Sequence, residues 1–151
     1  MEKIVFMSPP EGFSPKMEVA ACYCRVGEKF LFLENSDNKE WASTWSVPAG
    51  KIASEETPIE GAIREMFEET GVLLRCDCIV HHKSFYVIHP KYDLIYHTFR
   101  VSMQGYPENI VLRAREHKQF AWLTKDEILQ LPLMPGAREC FLSIVGRGLW
   151  G

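Results

Sequence analysis

Long apolar segments are absent from this sequence of 151 residues. No run approaches the roughly 20 apolar residues that a transmembrane helix needs. Met1–Lys16 also lacks the apolar core and the small-residue cleavage site of a signal peptide, and its "SPPEGFSP" predicts an extended, proline-broken lead-in. These absences argue against a membrane partner and make the cytoplasm the expected compartment.

The sequence also lacks a large excess of charge of either sign. It has 17 Lys and Arg residues against 20 Asp and Glu residues, a formal net charge of -3. Binding to a nucleic acid polymer or to an anionic membrane depends on clustered positive charge, so neither partner is expected. A small anionic ligand is compatible with this charge, provided that local basic groups or a metal ion receive it.

Cysteine is too scarce, and odd in number, for a complete disulfide framework. Four of the five cysteines form two C-x-C pairs, Cys22/Cys24 and Cys76/Cys78. A site of four thiolates on zinc is one interpretation, but structural zinc sites usually space their ligands C-x(2–4)-C. In a strand, C-x-C spacing places both side chains on one face of a sheet. Free, partly buried thiols are therefore favoured over a zinc site.

No internal repeat, low-complexity tract or linker divides the chain, so we expect one domain over residues 1–151, with 1–16 as the lead-in. β-rich runs at Met17–Val26 and Lys29–Asn35 predict a hairpin that turns at Gly27-Glu28. Other runs predict further strands, in "WSVPAG", "CIVHHKSFYVIHP", "YDLIYHTFRVSM", "NIVL" and "KQFAWL", a short helix after Thr124 and a terminal helix at Pro135–Gly146. This order predicts an α/β fold with a mixed β-sheet between helical layers.

A helix with clear start and stop signals is predicted at Pro58–Thr70. Thr57 is a favourable N-cap, Pro58 occupies the first helical position and Glu60 completes a capping box. Gly71 supplies the C-terminal stop. Apolar residues recur at spacings of three and four and predict the buried face, which consists of Ile59, Ala62, Ile63, Met66 and Phe67.

Three carboxylates share one stripe of this helix, at Glu65, Glu68 and Glu69. Like charges at such spacing repel and destabilise a helix. A solvated acidic face is one interpretation, but the single basic residue of the helix, Arg64, lies beside the cluster, and Glu56 adds charge nearby. Oxygen ligands suit hard divalent cations, and Mg²⁺ binds through one or two carboxylates together with substrate phosphates. The stripe is therefore a candidate cation site.

The spacing of these residues resembles the Nudix box of the MutT-type pyrophosphohydrolases. The whole motif is present, as Gly50, five residues, Glu56, seven residues, Arg64-Glu65, Met66, one residue, Glu68-Glu69, one residue, Gly71 and Val72. The resemblance implies a Nudix-type α/β/α sandwich in which this segment forms a loop, a helix and a second loop. It also implies Mg²⁺, with Mn²⁺ as a second option, bound on the phosphates of a nucleotide-type substrate.

The resemblance assigns roles by position. Glu68 and Glu69 resemble the principal metal ligands, helped by the carbonyl of Gly50, and Glu65 resembles a metal ligand or the base that activates water. Arg64 is similar to the arginine that orients this glutamate. A carboxylate outside the box usually completes the site, and Glu116 is the candidate. His117 beside it is interpreted as an exposed loop residue and is left out of the site.

The implied reaction is attack of water on one phosphorus of a nucleoside diphosphate linked to another group, with Glu65 or Glu116 accepting the proton. The expected substrates are nucleoside triphosphates or nucleotide sugars. Dinucleoside polyphosphates are the alternative, and a nucleotide-binding sensor without activity is a second one. The substrate-binding residues stay open, since these cations and aromatics also fit surface charge or core packing: Lys51, Arg113, Arg115, Trp41, Phe85, Tyr86 and Trp122. A monomer or a homodimer is expected.

Overall fold

A computed structural model describes residues 3–146, 148 and 150 of the chain. Eight strands form one sheet: β1 (Val5–Phe6), β2 (Pro15–Val26), β3 (Lys29–Asn35), β4 (Trp45–Ser46), β5 (Ala49–Lys51), β6 (Ile79–Ile88), β7 (Asp93–Ser102) and β8 (His117–Thr124). The helices are α1 (Pro58–Thr70), α2 (Lys125–Leu129) and α3 (Ala137–Ile144), and a 3₁₀ turn spans Cys76–Cys78. None of the helices among the described residues is long and apolar enough to cross a membrane.

The sheet is mixed, as predicted. Its strand order is β1-β6-β7-β2-β3-β4, while β5 pairs with β2 and β8 pairs with β3. The long strands β2 and β7 run parallel, and the other pairs are antiparallel. The predicted hairpin joins β2 to β3, with Val26 opposite Lys29 and Gly27 at a φ of 61°.

The sheet is buried on both faces because its central strand β2 alternates between two cores. On one face, Ala20, Cys22 and Cys24 pack against Ala62 and Met66 of α1. On the other face, Ala21 and Tyr23 pack with residues of α2 and α3, namely Ile128, Phe141 and Ile144. The layers are therefore helix, sheet, helix, which confirms the predicted α/β/α sandwich.

The cysteines follow the strand interpretation. Cys22 and Cys24 are buried on the same face of β2, where the Cys22 thiol donates to the carbonyl oxygen of Ala62 at 3.5 Å. Cys76 and Cys78 are exposed in the 3₁₀ turn. All five cysteines are free, and the two pairs occupy different environments, one in the core and one at the surface.

The predicted helix at Pro58–Thr70 is confirmed at both ends. Thr57 and Glu60 form the reciprocal capping box, and Gly71 ends the helix in the left-handed region at a φ of 77°. The predicted buried face is wrong at Phe67, which is 52% exposed. The buried stripe turns instead through Met66 and Thr70, so Phe67 lies past its edge.

The secondary structure differs from the sequence predictions in three places. The strand predicted in "NIVL" is wrong: residues 109–112 form no strand, and Val111 N donates to Thr70 O at the end of α1 (2.9 Å) while its neighbours Ile110 and Leu112 pack on the core. The terminal helix is shorter than predicted, because Gly136 adopts a φ of 82° directly before it. The lead-in adds β1, which pairs with β6; Met1 and Glu2 lie outside the described residues.

Candidate active site

The segment Gly50–Val72 begins in the sheet and closes on itself before α1. Antiparallel pairing of β5 with β2 places Gly50 opposite Ala20. In the following loop, Glu56 turns back, because its Oε1 accepts the N–H of Ala53 at 2.8 Å. The loop therefore connects β5, which is paired with the central strand β2, to the N-terminus of α1.

Arg64 ties this loop to the acidic stripe of the helix. Its Nε and Nη2 donate to both carboxylate oxygens of Glu56, at 2.6 and 2.8 Å. Its Nη1 donates to Glu65 at 2.8 Å and to Glu68 at 2.5 Å, and its Nη2 also reaches the carbonyl of Lys51 at 3.0 Å. One planar guanidinium thus fixes three carboxylates and a backbone carbonyl.

The charges in this network stabilise one another. The Arg64 guanidinium, followed by the N–H of Ala53, lowers the pKa of Glu56 to about 2. The hydrogen bonds from Arg64 to the carboxylates, with that to Glu56 the largest cause, hold the pKa of Arg64 above its ordinary value. Glu56 is therefore ionised at neutral pH and, through Arg64, connects the loop to the helix.

Gly50 lies directly against the carboxylate of Glu65. A Cβ built on Gly50 would be 2.1 Å from Glu65 Cδ and Oε2 and 2.5 Å from Oε1. No side chain fits at this position unless the carboxylate moves. Burial raises the pKa of Glu65, and its ion pair with Arg64 opposes that effect.

Glu69 is the most deeply buried carboxylate of the stripe. It is 5% exposed, and its Oε1 accepts the N–H of Ala49 at 3.0 Å. Burial raises its pKa to about 8, the Ala49 N–H opposes the rise, and the negative charges of Glu65 and Glu116 add to it. A buried carboxylate among other carboxylates is costly without a compensating cation.

Glu116 comes next to Glu69, from a distant part of the chain. Ligand atoms of Glu69, Glu116 and His117 all lie within 4.8 Å of one another. The pairing of β8 with β3 sets His117 opposite Asn35, and the N–H of Ser36 donates to the carbonyl of Glu116 at 3.0 Å. Two carboxylates and one imidazole are a donor set that fits a divalent cation.

The sequence interpretation of His117 as an exposed loop residue is wrong. His117 is the first residue of β8 and is only 4% exposed. Its Nδ1 is buried and makes no hydrogen bond within the described part of the chain. Burial, with a smaller contribution from Lys39, lowers its pKa to about 4. The available signal was its place between Glu116 and the predicted strand "KQFAWL".

A cavity of about 240 Å³ adjoins these residues. Glu69, Gly50 and His117 line it, and so do His89 and Tyr92, whose stacked rings have their centroids 4.8 Å apart. The rest of its wall is mainly apolar and includes Met17, Val19, Val47, Val87, Leu94, Met134 and Pro135. The cavity thus places an apolar wall beside a group of carboxylates.

The cation lining this cavity was not among the predicted ones. Lys39, in the loop between β3 and β4, is the one Lys or Arg on its wall among the described residues. Lys51 is exposed and borders a separate open groove with Glu56 and Arg64, while Arg113 and Arg115 are exposed in the turn before β8.

The four candidate aromatic residues pack within the protein. Phe85 is a core residue, 2% exposed. Tyr86 contacts Phe13 edge-to-face at 5.5 Å and Trp122 contacts Tyr106 edge-to-face at 5.0 Å. Trp41 contacts His89 edge-to-face at 5.9 Å, and His89 lines the cavity.

Replacing Arg64 by lysine should lower kcat/KM by about 10- to 100-fold, the usual effect of losing a group that orients ligands. Lysine keeps the charge but cannot donate in a fork to Glu56 while also holding Glu65. Steady-state kinetics measure the effect. Arg75→Lys is the matched control, since Arg75 forms an exposed ion pair with Asp77. Equal activity of the two variants would contradict an orienting role for Arg64.

Comparisons with known proteins agree with this geometry. The model of the NUDIX domain family matches residues 15–143. A MutT-like protein of Streptomyces ambofaciens is 30% identical over 130 residues, which are 83% of this chain and 77% of that protein. The phosphatase NudJ of Escherichia coli K12 is 40% identical over 60 residues, 40% of this chain and 37% of that protein.

Among solved structures, the NUDIX domain of Shewanella oneidensis NrtR, crystallised with ADP ribose, superimposes with a TM-score of 0.73 at 15% identity and covers 90% of both chains. At that identity the likeness concerns the fold. The family match spans most of the chain and contains the complete loop and helix whose geometry is described above. The chain therefore belongs to the Nudix family and is a pyrophosphohydrolase.

Proposed function

We propose that this chain is a single-domain, divalent-cation-dependent enzyme that cleaves a nucleoside diphosphate linked to another group. Nucleoside triphosphates and nucleotide sugars are the substrates we expect first, and dinucleoside polyphosphates are the alternative. The observation that carries the proposal is the meeting of Glu69 on α1 and Glu116 in the turn before β8, 47 positions apart in the sequence, beside a cavity of about 240 Å³.

The cation is assigned to the carboxylates of Glu69 and Glu116, with Glu68, Glu65 and the carbonyl of Gly50 as further ligands. The buried, mutually repelling carboxylates support this assignment, because a bound cation would offset their charge. Mg²⁺, or alternatively Mn²⁺, would neutralise charge on the diphosphate and lower the pKa of a water molecule.

The proton of the attacking water is assigned to Glu65 or Glu116. Glu65 is the better positioned of the two in one respect: Arg64 holds its carboxylate at 2.8 Å and Gly50 leaves room for it. Glu116 is held less directly, through the backbone of its turn. Arg64 is an orienting residue in this scheme, since its donors are occupied by carboxylates and a carbonyl.

The cavity is assigned to the nucleoside part of the substrate. Its apolar wall and the stacked His89 and Tyr92 rings suit a flat aromatic group. Lys39, which also lines the cavity, would attract a phosphate. The NrtR domain crystallised with ADP ribose supports a nucleotide ligand for this fold.

A substrate panel tests the proposal. Nucleoside triphosphates, nucleotide sugars, ADP ribose and dinucleoside polyphosphates are incubated with the protein and Mg²⁺ or Mn²⁺ in ¹⁸O-labelled water. We expect turnover of at least one class, a nucleoside monophosphate among the products, and ¹⁸O on the attacked phosphorus in ³¹P spectra. Binding of a nucleotide without turnover of any would favour the sensor alternative, and no turnover or binding would overturn the proposed substrate class.

A further inference from the structure

His117 carries a buried ring nitrogen that no described residue hydrogen-bonds. The residue is 4% exposed, and its Nδ1 makes no hydrogen bond within the part of the chain that the structure describes. A buried ring nitrogen without a partner is unfavourable, and native proteins rarely leave one in place without a ligand or a water. A ring nitrogen of His117 lies within 4.8 Å of carboxylate oxygens of Glu69 and Glu116.

We infer that His117 is a nitrogen ligand of the divalent cation assigned to Glu69 and Glu116, and that the site therefore favours Mn²⁺ and other transition-series ions over Mg²⁺. The inference rests on the proposed cation dependence but adds both a ligand and a metal class. The pattern of the Gly50–Val72 segment does not contain it, because His117 lies 45 residues beyond Val72.

The separation of the three ligand atoms suits one ion. They lie within 4.8 Å of one another. Around an octahedral ion with bonds of about 2.1 Å, neighbouring ligand atoms are roughly 3 Å apart and opposite ones roughly 4.2 Å apart. Side-chain adjustments of about an ångström or less therefore bring the three groups into one coordination sphere.

Two separate parts of the fold hold the three groups. Glu69 stands on α1 and is fixed by the N–H of Ala49 at 3.0 Å. Both Glu116 N and His117 N donate to the carbonyl of Arg113 at 2.9 Å, so one tight turn sets both residues. The site is thus largely formed before a cation arrives, which leaves little conformational entropy to be lost on binding.

A mixed set of nitrogen and oxygen donors decides the choice of metal. Mg²⁺ prefers oxygen ligands, keeps several waters and gains little from an imidazole. Imidazole suits Mn²⁺ less strongly than Co²⁺ or Zn²⁺, but all of these ions accept it. His117 therefore raises affinity for transition-series ions without a comparable gain for Mg²⁺.

Pulsed electron paramagnetic resonance of the Mn²⁺-loaded protein tests the inference directly. We expect ¹⁴N modulation from a directly bound imidazole in the wild-type protein, replaced by the ¹⁵N pattern when histidine is ¹⁵N-labelled. In His117→Gln the modulation should disappear, and calorimetric affinity for Mn²⁺ should fall by about 10- to 100-fold, while Mg²⁺ affinity changes less than about threefold. His89→Gln is the matched control, because His89 lines the same cavity. This variant should leave the nitrogen modulation and the affinity for Mn²⁺ unchanged.

The outcomes separate this inference from the proposed function. Mn²⁺ bound without nitrogen modulation, in a wild-type protein that still hydrolyses its substrate, would overturn the role of His117 alone. Loss of modulation in His89→Gln instead of His117→Gln would also overturn it. Absence of any divalent cation binding to the folded wild-type protein would overturn both. If His117→Gln does not fold, a wild-type protein without ¹⁴N modulation still overturns the inference, and modulation that persists in His89→Gln supports it.

Discussion

Glu69→Gln should abolish most hydrolytic activity while the protein keeps its fold. Loss of groups that merely orient a metal ligand costs about 10- to 100-fold, so loss of a ligand's charge should lower kcat/KM by on the order of 100-fold or more. The amide oxygen of glutamine can still accept the N–H of Ala49, which Glu69 now does at 3.0 Å. Steady-state kinetics and circular dichroism measure the two expectations.

Glu55→Gln is the matched control for charge, because Glu55 is an exposed carboxylate of the same Gly50–Val72 segment. It should leave kcat/KM within about twofold, as expected for a surface substitution away from special contacts. Wild-type activity of Glu69→Gln would remove Glu69 from the cation site.

Without divalent cations, Glu69→Gln should stabilise the protein at high pH. Burial raises the pKa of Glu69 to about 8 in the folded state, whereas an unfolded chain has a glutamate pKa of about 4.3. The folded wild-type protein therefore loses stability as the pH rises between these values. Glutamine does not titrate, so Glu69→Gln should unfold at a higher temperature than the wild type at pH 8, and at a similar temperature at pH 5.

Added Mn²⁺ should reverse this order at pH 8, because a cation at the proposed site would stabilise the ionised carboxylate of the wild type and would bind the variant weakly. Thermal scans with EDTA and with Mn²⁺ measure both parts. A variant that is less stable than the wild type in EDTA at pH 8 would contradict the unfavourable burial of Glu69.

Gly50→Ala should lower kcat/KM by about 100-fold or more through displacement of Glu65. The new Cβ would lie 2.1 Å from the Glu65 carboxyl carbon, far inside any contact distance. Because the clash involves the end of a flexible side chain, Glu65 can rotate away and the fold survives. As the proposed general base, Glu65 would contribute about 10²- to 10⁴-fold, and that contribution would be lost when its carboxylate leaves Arg64.

A double-mutant cycle shows whether the effect passes through Glu65. If it does, Gly50→Ala should add little to Glu65→Ala, and the two losses should be strongly non-additive. Gly105→Ala is the matched glycine control, since a Cβ there meets no atom within 4 Å. Additive losses in the cycle would assign the effect of Gly50→Ala to the sheet instead of to Glu65.

The acidic helix was predictable from the sequence because its determinants are local. Thr57, Glu60 and Gly71 lie within a few residues of the ends they cap, and the hydrogen bonds they form require no other part of the chain. The network of Arg64 is equally local, since Glu56, Glu65 and Glu68 lie no more than 8 positions from Arg64 in the sequence. The spacing of these residues also carried the family resemblance.

Packing choices within single elements were less predictable. Phe67 and Thr70 both lie near the edge of an apolar stripe, and only the position of the sheet decides that Thr70 is buried and Phe67 is 52% exposed. The apolar residues of "NIVL" pack on the same core as a strand would, but their backbone meets the end of α1 instead of a neighbouring strand.

The loop and helix that carry Gly50, Arg64 and Glu69 follow from the sequence alone, since capping, spacing and charge act over a few residues. The other half of the site depends on long-range strand pairing. The pairing of β8 with β3 joins residues more than 80 positions apart and sets His117 opposite Asn35, which brings its ring and Glu116 to Glu69. Burial there lowers the pKa of His117 to about 4, so its imidazole is neutral at neutral pH, and its Nδ1 makes no hydrogen bond among the residues that the structure describes.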